Sequence, residues 1–141
     1  MPVASIDAAN KFLDGALDQY TDLKVALLGT LPTGAINTAV ELWDGASNYA
    51  RQSMGGSPLW LPAASARKGN ANAITFPYPG YSWGVARGWA LIDVTVLDTV
   101  GTFTDACVVN WQRLRTPVEL TPTTLMAFSP GDLAVSMKVG A

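Results

Sequence analysis

The fold is decided by the stretch WGVARGWALID, residues 83–93, in the middle of the chain. Its Trp, Val, Leu and Ile side chains favour a pleated, half-buried backbone. Gly84 and Gly88 interrupt the run and mark a bend or a point where another backbone comes close. The stretch therefore predicts the central strand of a sheet, and the segments on either side are its expected partners.

Short apolar segments recur on both sides of this strand, separated by Pro, Gly, Asp and Thr. Many short strands at regular spacing are typical of an all-β sandwich or barrel. The predicted class is a mostly β protein, with an antiparallel sandwich or barrel over residues 22–139 that is jelly-roll-like or immunoglobulin-like. The predicted strands are residues 22–28, 38–43, 49–54, 59–62, 73–76, 83–93, 94–97, 108–115, 123–128 and 133–139, with a surface loop at 63–72.

Before the strands, residues 5–20 carry apolar side chains at three- and four-residue steps, which predicts an amphipathic helix. Ser5 can cap its first turn, and Asp7 lies where the helix dipole favours an anion. The apolar face needs a partner, either the protein's own sheet or a neighbouring subunit. Phe12 and Leu13 are the candidate interface residues of this helix.

The composition is poor in charge. The chain of 141 residues is predicted to be a single domain, residues 1–141. Charged residues make up 14% and hydrophobic residues 49% of it, whereas an average soluble domain is about 25% charged. We infer that part of the surface is buried against other subunits, because obligate interfaces resemble a domain core cut in half. A neutral surface rich in Thr, Ser and Ala is the alternative.

The charge balance excludes some partners. A net charge of −2 and an isoelectric point near 4.8 argue against nucleic acid, which needs a basic face. No apolar run approaches the about 20 residues of a membrane span, and the first residues lack the pattern of a secretion signal. No membrane partner is expected, and the chain is expected to be made in a cytoplasm. The single Cys107 cannot form an internal disulfide, and its apolar neighbours predict a buried thiol.

The sequence offers few arrangements that could catalyse. It has no His and one Cys, so His-containing triads, His-based zinc sites and thiolate clusters are not expected. Paired carboxylates are the remaining possibility, either Asp93 with Asp98 or Asp105 with Glu119 in a glycosidase-like geometry. Most of these residues lie beside turns, where Asp is common for backbone reasons. We predict a protein that is not an enzyme, with no catalytic residue, no cofactor and no metal.

Several short motifs occur in a fixed order along the chain. They are VALL at 25–28 closing in a Pro-Thr turn, YARQ at 49–52, AITFP at 73–77, WG at 83–84 and PGDLAV at 130–135. Together with the N-terminal helix, this order resembles a family of small virion structural proteins of tailed bacteriophages. The likeness spans nearly the whole chain. The chain departs from the family pattern at residues 93–111, where the family has a tighter Gly-rich hairpin.

Members of that family are described as tail-fibre, minor tail or capsid-surface proteins, so the resemblance implies a virion component and brings no catalytic residue. The favoured interpretation is a capsid decoration or cement protein that forms a homo-oligomer, expected to be a trimer because capsid lattices present threefold positions. Its expected partners are its own copies and the major capsid protein or other virion proteins, on the capsid surface or tail. The alternatives are a tail-fibre or tail-tip protein that binds a host glycan or receptor, and an enzyme acting on envelope sugars.

Aromatic side chains admit two interpretations. The chain has five Trp residues, and Trp anchors cores and subunit interfaces because it buries a large area. Trp83 and Trp89 are predicted to be core residues. Exposed Trp and Tyr would instead stack on the rings of a host glycan. The candidate glycan contacts are Trp60, Tyr78 and Tyr81.

Arginines beside aromatic residues are the other candidate contacts. Tyr49 and Arg51 alternate on one predicted strand face, where they would anchor an interface or be solvated. Arg113 and Arg115 beside Trp111 indicate a cation–π contact or a salt bridge to a neighbouring subunit, or a solvated surface. These five residues complete the predicted interface.

Overall fold

The computed structural model describes residues 5–42 and 48–137. Strand makes up 38% and helix 12%, and the pairing is antiparallel, which confirms the mostly β class with an N-terminal helix. Trp43 and the end of the last predicted strand, residues 138–139, lie outside the described residues. The elements are α1 (Ile6–Leu17), β1 (Leu23–Thr30), a 3₁₀ helix (Ile36–Thr38), β2 (Val40–Glu41), β3 (Gln52–Ser53), β4 (Arg67–Gly69), β5 (Ile74–Thr75), β6 (Gly84–Asp93), β7 (Val108–Leu120), β8 (Ala127–Phe128) and β9 (Ala134–Ser136).

The stretch at residues 83–93 forms β6, which lies at the centre of the main sheet as predicted. The strand order of that sheet is β2-β1-β6-β7, and β3 also pairs with β1. β1 and β6 are buried along most of their length, whereas β7 alternates between half-buried and exposed residues. The sheet is not closed, so the barrel alternative is wrong. β4 pairs with β9, and β5 pairs with β8.

The internal contacts of the chain form two compact units. Unit 1 consists of Met1–Thr21, Met54–Ile74 and Phe128–Ala141, and unit 2 consists of Asp22–Ser53 and Thr75–Ala127. In unit 1, α1 packs on β4, and β4 pairs with β9. Unit 2 contains the main sheet.

One face of the main sheet packs on an apolar cluster within unit 2. Alternate side chains of β1 and β6 share this face, and residues from the loop after β6 cover it. Cys107 is buried in the cluster, as predicted, and Trp83 and Trp89 are buried as well, which confirms them as core residues. The members of the cluster are Ala26, Leu28, Ile36, Ala39, Ala90, Ile92, Phe103 and Cys107.

The N-terminal helix begins where the sequence predicts. The Ala8 N–H donates to the Ser5 hydroxyl at 3.2 Å, so Ser5 caps the first turn. The helix is shorter than predicted, because Asp18 is already its C-cap. Leu13 is buried, whereas Phe12 is 61% exposed. Among the described residues, no helix is long and apolar enough to cross a membrane.

The predicted strand at residues 94–97 is wrong. The Asp93 carboxylate accepts hydrogen bonds from the Thr95 N–H at 3.1 Å and the Thr95 hydroxyl at 2.6 Å. This local bonding turns the backbone away from the sheet, as Asp side chains commonly do. β6 therefore ends at Asp93, and residues 94–96 form a turn.

The predicted surface loop at residues 63–72 is also wrong in part. It contains β4, in which Lys68 is 1% exposed, and Asn70 just after the strand is fully buried. The Asn70 amide donates to the carbonyls of Asn72 and Ser129 and accepts from the Leu133 N–H. Composition mispredicts this segment because its polar side chains are buried with partners from distant parts of the chain.

Gly88 lies where β6 and β7 come closest. A Cβ at this position would lie 2.6 Å from the Gln112 carbonyl oxygen and 2.6 Å from Leu31 Cδ2. The carbonyl belongs to the backbone of β7 and cannot move aside without disturbing the pairing of the two strands. The expectation that Gly88 marks a close backbone approach is confirmed.

Replacing Gly88 with Ala should therefore destabilise the protein by about 1–3 kcal/mol, the usual cost of forcing an extra methyl into a packed site. Gly15→Ala is the matched control, because a methyl group at that position would have no atom within 4 Å apart from its chain neighbours and the backbone of its own helix. In the middle of a helix this change should stabilise by up to about 1 kcal/mol. Urea unfolding of both variants measures the difference, and equal effects would contradict the close approach.

Candidate functional site

A buried ion pair ties β2 to the residues before β3 in unit 2. The Arg51 guanidinium lies 2.8 and 3.0 Å from the two oxygens of the Glu41 carboxylate, and neither side chain is more than 1% exposed. The Tyr49 hydroxyl donates to the same carboxylate, and the Gly101 N–H donates to it at 2.7 Å. Each charge therefore has several partners, which is the condition under which a buried ion pair is tolerated.

Arg51 also fixes the loop after β6. Its guanidinium donates to the carbonyls of Thr99 at 3.0 Å and Thr102 at 3.2 Å, and it lies 5.4 Å from the centroid of the Phe103 ring. Burial acts to lower the pKa of Arg51, but the hydrogen bonds and charge of Glu41 raise it above its ordinary value overall. Arg51 therefore stays charged and holds the loop between β6 and β7.

Tyr49 completes this network, because its hydroxyl accepts one hydrogen bond and donates another. The Leu27 N–H in β1 donates to the phenol oxygen at 3.0 Å, while the phenol donates to Glu41. Burial first, and then the charge of Glu41, raise the pKa of Tyr49 well above its ordinary value. The phenol keeps its proton in the folded protein, so this network is a structural link among strands.

A second buried cation lies in unit 1. The Lys68 ammonium, on a side chain that is 1% exposed, lies 2.5 Å from Asp14 Oδ1 and 3.1 Å from Asp18 Oδ1. The two carboxylates are one helical turn apart on α1 and therefore share a face. Hydrogen bonds from Lys68 and from the Ala63 N–H lower the pKa of Asp14. Lys68 also offsets the unfavourable position of Asp18 at the negative end of the helix dipole.

A cleft of about 520 Å³ opens beside this ion pair, within unit 1. Its wall combines the Lys68 group with apolar and aromatic side chains, which is the mixture that small polar ligands require. The indole N–H of Trp60 is buried and has no hydrogen-bond partner among the described residues. The lining residues are Asp14, Asp18, Tyr20, Thr21, Ser57, Pro58, Leu59, Trp60, Pro62 and Lys68.

Three exposed arginines share a notch of about 360 Å³ on unit 2. Arg113 and Arg115 come from alternate positions of β7, and Arg87 comes from the neighbouring strand β6. The rest of the lining is apolar, so the guanidinium groups are the polar features of the notch. We call it the arginine notch, and its residues are Leu31, Arg87, Arg113, Leu114, Arg115 and Pro117.

A bulge in β7 shapes the arginine notch. Arg113 pairs with Gly88 and Val118 pairs with Ala86, so residues 114–117 of β7 lie opposite Arg87 alone. Extra residues on one strand bend it and re-aim its side chains. The bulge therefore turns Arg115 and Pro117 toward the same recess as Arg87.

The predicted interface residues divide by burial. The exposed ones are available to a partner, whereas the buried ones pack inside the protein and form its scaffold. The buried members are Leu13, Tyr49 and Arg51, and the exposed members are Phe12, Trp111, Arg113 and Arg115.

The candidate glycan contacts also divide. Trp60 is only 3% exposed, so its ring is not a free stacking surface. Tyr78 and Tyr81 are 54% and 42% exposed and lie in unit 2. The Tyr78 segment is held by Asn48, whose amide donates to the Tyr78 carbonyl at 2.7 Å. Of this set, the two tyrosines are the residues with exposed rings.

The carboxylates of one candidate pair have other partners, and those of the other pair lie far apart. Asp98 is engaged by Lys24 at 2.7 Å, and Asp93 by its turn. Asp105 and Glu119 flank most of the length of β7, and a strand rises about 3.3 Å per residue, so they are separated by more than roughly 25 Å. Glycosidase carboxylates lie about 5–9.5 Å apart. Within the described ranges, no three His, Cys, Asp or Glu side chains meet as candidate metal ligands.

Several important residues were missed from the sequence. Glu41, Lys68 and Asn70 are buried polar residues whose partners lie far along the chain, and Arg87 was assigned only to a strand. One signal was present for Lys68. Asp14 and Asp18 stand four residues apart on a predicted helix, and such a pair of like charges favours a cation between them.

No family model matches the chain, and no curated protein matches it. Its function is therefore inferred from the ordered motifs and from the surfaces of the two units.

Removing Arg51 should be far more costly than removing an exposed cation. Arg51→Met leaves Glu41 charged and buried without its partner, and the expected loss is about 3–5 kcal/mol of stability. Lys24→Met breaks the partly exposed pair with Asp98 and should cost about 1 kcal/mol or less.

Urea unfolding at pH 7 measures both changes. The double variant Glu41→Gln with Arg51→Met should recover part of the loss, because it removes the unpaired charge. Similar losses for Arg51→Met and Lys24→Met would show that the buried network is not a main support of unit 2.

Proposed function

We propose that this chain is a non-enzymatic structural protein of a tailed-bacteriophage particle. It is made in the host cytoplasm and acts as a capsid decoration protein. It forms a homo-oligomer, a trimer, and binds the major capsid protein or other virion proteins from outside the shell. The observation that carries this proposal is the outer edge of β7, a strand of 13 residues at the end of the main sheet.

Such an edge is suited to adhesion. On its outer side β7 has no paired strand among the described residues, so its backbone groups are free to meet another chain. Trp111, 37% exposed, and the arginines of the notch lie along it. Trp and Arg are the side chains most enriched where protein interfaces carry their binding energy. The bulge and the arginines oppose pairing with an identical strand, which favours a specific partner.

The segments that resemble the phage family build the scaffold. Residues 25–28 lie in β1, Tyr49 and Arg51 belong to the buried network, and Phe76 is fully buried. This placement supports a shared framework with that family, because interior residues specify a fold. A sandwich of sheets, jelly-roll-like or immunoglobulin-like, is the arrangement we propose for this framework.

A decoration protein works without turnover. Apolar area buried across subunit boundaries contributes about 25 cal/mol per Å² before the costs of ordering. A surface with few charges loses little desolvation energy when it is covered. The low charged fraction of 14% therefore fits a chain whose surface is completed by neighbours.

The copy number of the protein in purified particles tests this function. A decoration protein should be present in hundreds of copies, because it follows the repeated positions of the shell. A stained gel calibrated against the major capsid protein gives the ratio. A value of a few copies to a few tens per particle would place the protein in the tail, and absence from the particle would overturn the virion assignment.

The cleft of unit 1 favours a second candidate function, a tail-fibre or tail-tip protein that binds a host glycan. Carboxylates beside aromatic and apolar walls suit sugars, because hydroxyl groups donate to the carboxylates while the ring lies on the apolar wall. Tyr20 and Trp60 both line this cleft. The exposed Tyr78 and Tyr81 of unit 2 offer another surface for the same ligand class.

Envelope polysaccharide fragments distinguish these surfaces. Under the glycan hypothesis, they should change the Trp fluorescence of the wild type, and Tyr20→Ala should weaken binding at least about tenfold if the cleft is the site. Tyr78→Ala is the matched variant on the other surface, and it should have that effect only if the tyrosines of unit 2 bind. No fluorescence change and no binding by calorimetry with any fragment would exclude this second function.

A further inference from the structure

The Lys and Arg side chains of the described residues fall into two groups. Most are neutralised or bonded within the chain: Lys11 contacts Asp7, Lys24 contacts Asp98, Arg51 contacts Glu41, Lys68 contacts Asp14, and Arg67 donates to the Gly131 carbonyl. The three arginines of the notch make neither an ion pair nor a side-chain hydrogen bond in the described part of the chain. The unpaired cations are therefore gathered in one place.

Three carboxylates also lack both an ion-pair and a hydrogen-bond partner among the described residues. The side chains of Asp22, Asp105 and Glu119 are exposed and likewise form no ion pair or hydrogen bond within residues 5–42 and 48–137. Two of them lie at one end of the main sheet. Asp22 precedes Leu23, which pairs with Asp93, and Asp105 lies just before β7, whose first residue pairs next to Asp93. We call Asp22, Asp93 and Asp105 the acidic end.

The unpaired arginines of the main sheet are therefore separated along its strands from Asp22 and Asp105, whereas Glu119, which pairs with Val85, lies on the side of the arginines. The arginine notch lies at the level of Gly88, five residues along β6 from Asp93, which is roughly 17 Å at the rise of a strand. One chain cannot close this separation, since both groups are fixed to the same rigid sheet. A guanidinium fork beside apolar surface is suited to a carboxylate, which it binds through two parallel hydrogen bonds.

We propose that the arginine notch of one copy receives the acidic end of a second copy, in a head-to-tail contact. The unpaired arginines of the notch and the unpaired Asp22 and Asp105 of the acidic end then become partners across the interface. Without the three notch arginines, the nine Lys and Arg residues fall to six against eleven Asp and Glu, so the rest of a second copy carries an excess of negative charge. A twofold contact through the notch would instead oppose arginines to arginines, which is repulsive.

A head-to-tail contact has a structural consequence. Each copy binds one neighbour through its arginine notch and another through its acidic end, so the contact repeats from copy to copy. The copies close into a ring when the rotation between successive copies permits it. This inference rests on the homo-oligomer of the proposed function, and it does not depend on attachment to a capsid.

Charge reversal tests the contact. The notch variant is Arg113→Glu with Arg115→Glu, and the end variant is Asp22→Lys with Asp105→Lys. Each should weaken self-association at least about tenfold, because it places like charges together. The wild type should also dissociate as salt rises, since charges are screened within about 3 Å at 1 M. Sedimentation velocity over a range of protein concentrations measures the dissociation constant.

Combining the notch and end substitutions is the most stringent test of the contact. An equimolar mixture of the notch variant and the end variant should assemble again, because each then meets an opposite charge. The chain with all four substitutions should also self-associate. The matched control is Lys11→Glu with Arg67→Glu, which makes the same change in net charge on unit 1 and should associate like the wild type. Circular dichroism establishes that every variant is folded.

The results that would contradict the head-to-tail contact can be distinguished from one another. A wild type that sediments as a single chain at all concentrations overturns the contact, as does association that survives the notch variant or a mixture that fails to assemble. If the wild type is a single chain but binds purified particles, and the notch variant does not bind, the notch receives another virion protein. In that case the head-to-tail contact and the homo-oligomer are wrong, while the proposal of a virion structural protein stands.

Discussion

The Glu41–Arg51 contact is the constraint on which the rest of unit 2 depends. Within about 3 Å it brings together β2, the residues before β3, and the loop after β6, while Tyr49 links the same carboxylate to β1. Two charges that are this deeply buried must be satisfied from every side. The positions of these segments follow from that requirement, and β7 takes no part in the network.

The fold was predictable where the signal is local. The apolar run at residues 83–93 identified the central strand, and the Ser5 cap identified the start of the helix. Gly88 revealed a close approach because a glycine inside a strand commonly marks a bulge, a bend or a neighbouring backbone. These features depend on residues next to one another in sequence, which is why they could be inferred from one chain.

The remaining features depend on contacts distant in sequence. Lys68 is a surface residue by composition and a core residue by its contact with Asp14, which is 54 residues away. Arg51 was open to a solvated interpretation because its partner Glu41 lies on another strand. The sequence predicted only part of the arginine notch. Arg113 and Arg115 could be identified as a pair, whereas Arg87 joins them only through strand pairing and a bulge.

The buried charges of the protein differ from several exposed ones in whether they have an ion-pair partner. Charges in the interior are neutralised within the chain, whereas several exposed charges of unit 2 have no partner among the residues that the structure describes. The surface that remains is poor in charge and offers a strand edge, an exposed Trp and a cluster of arginines. We propose that other molecules complete such a surface, and this is why we assign the chain to an assembly.

An electron cryomicroscopy map of the intact phage particle tests that assignment most directly. The account predicts the protein at many symmetry-related positions on the shell, with the outer edge of β7 covered by a neighbouring molecule. A particle without the protein, or one in which every copy leaves that edge open to solvent, would contradict it.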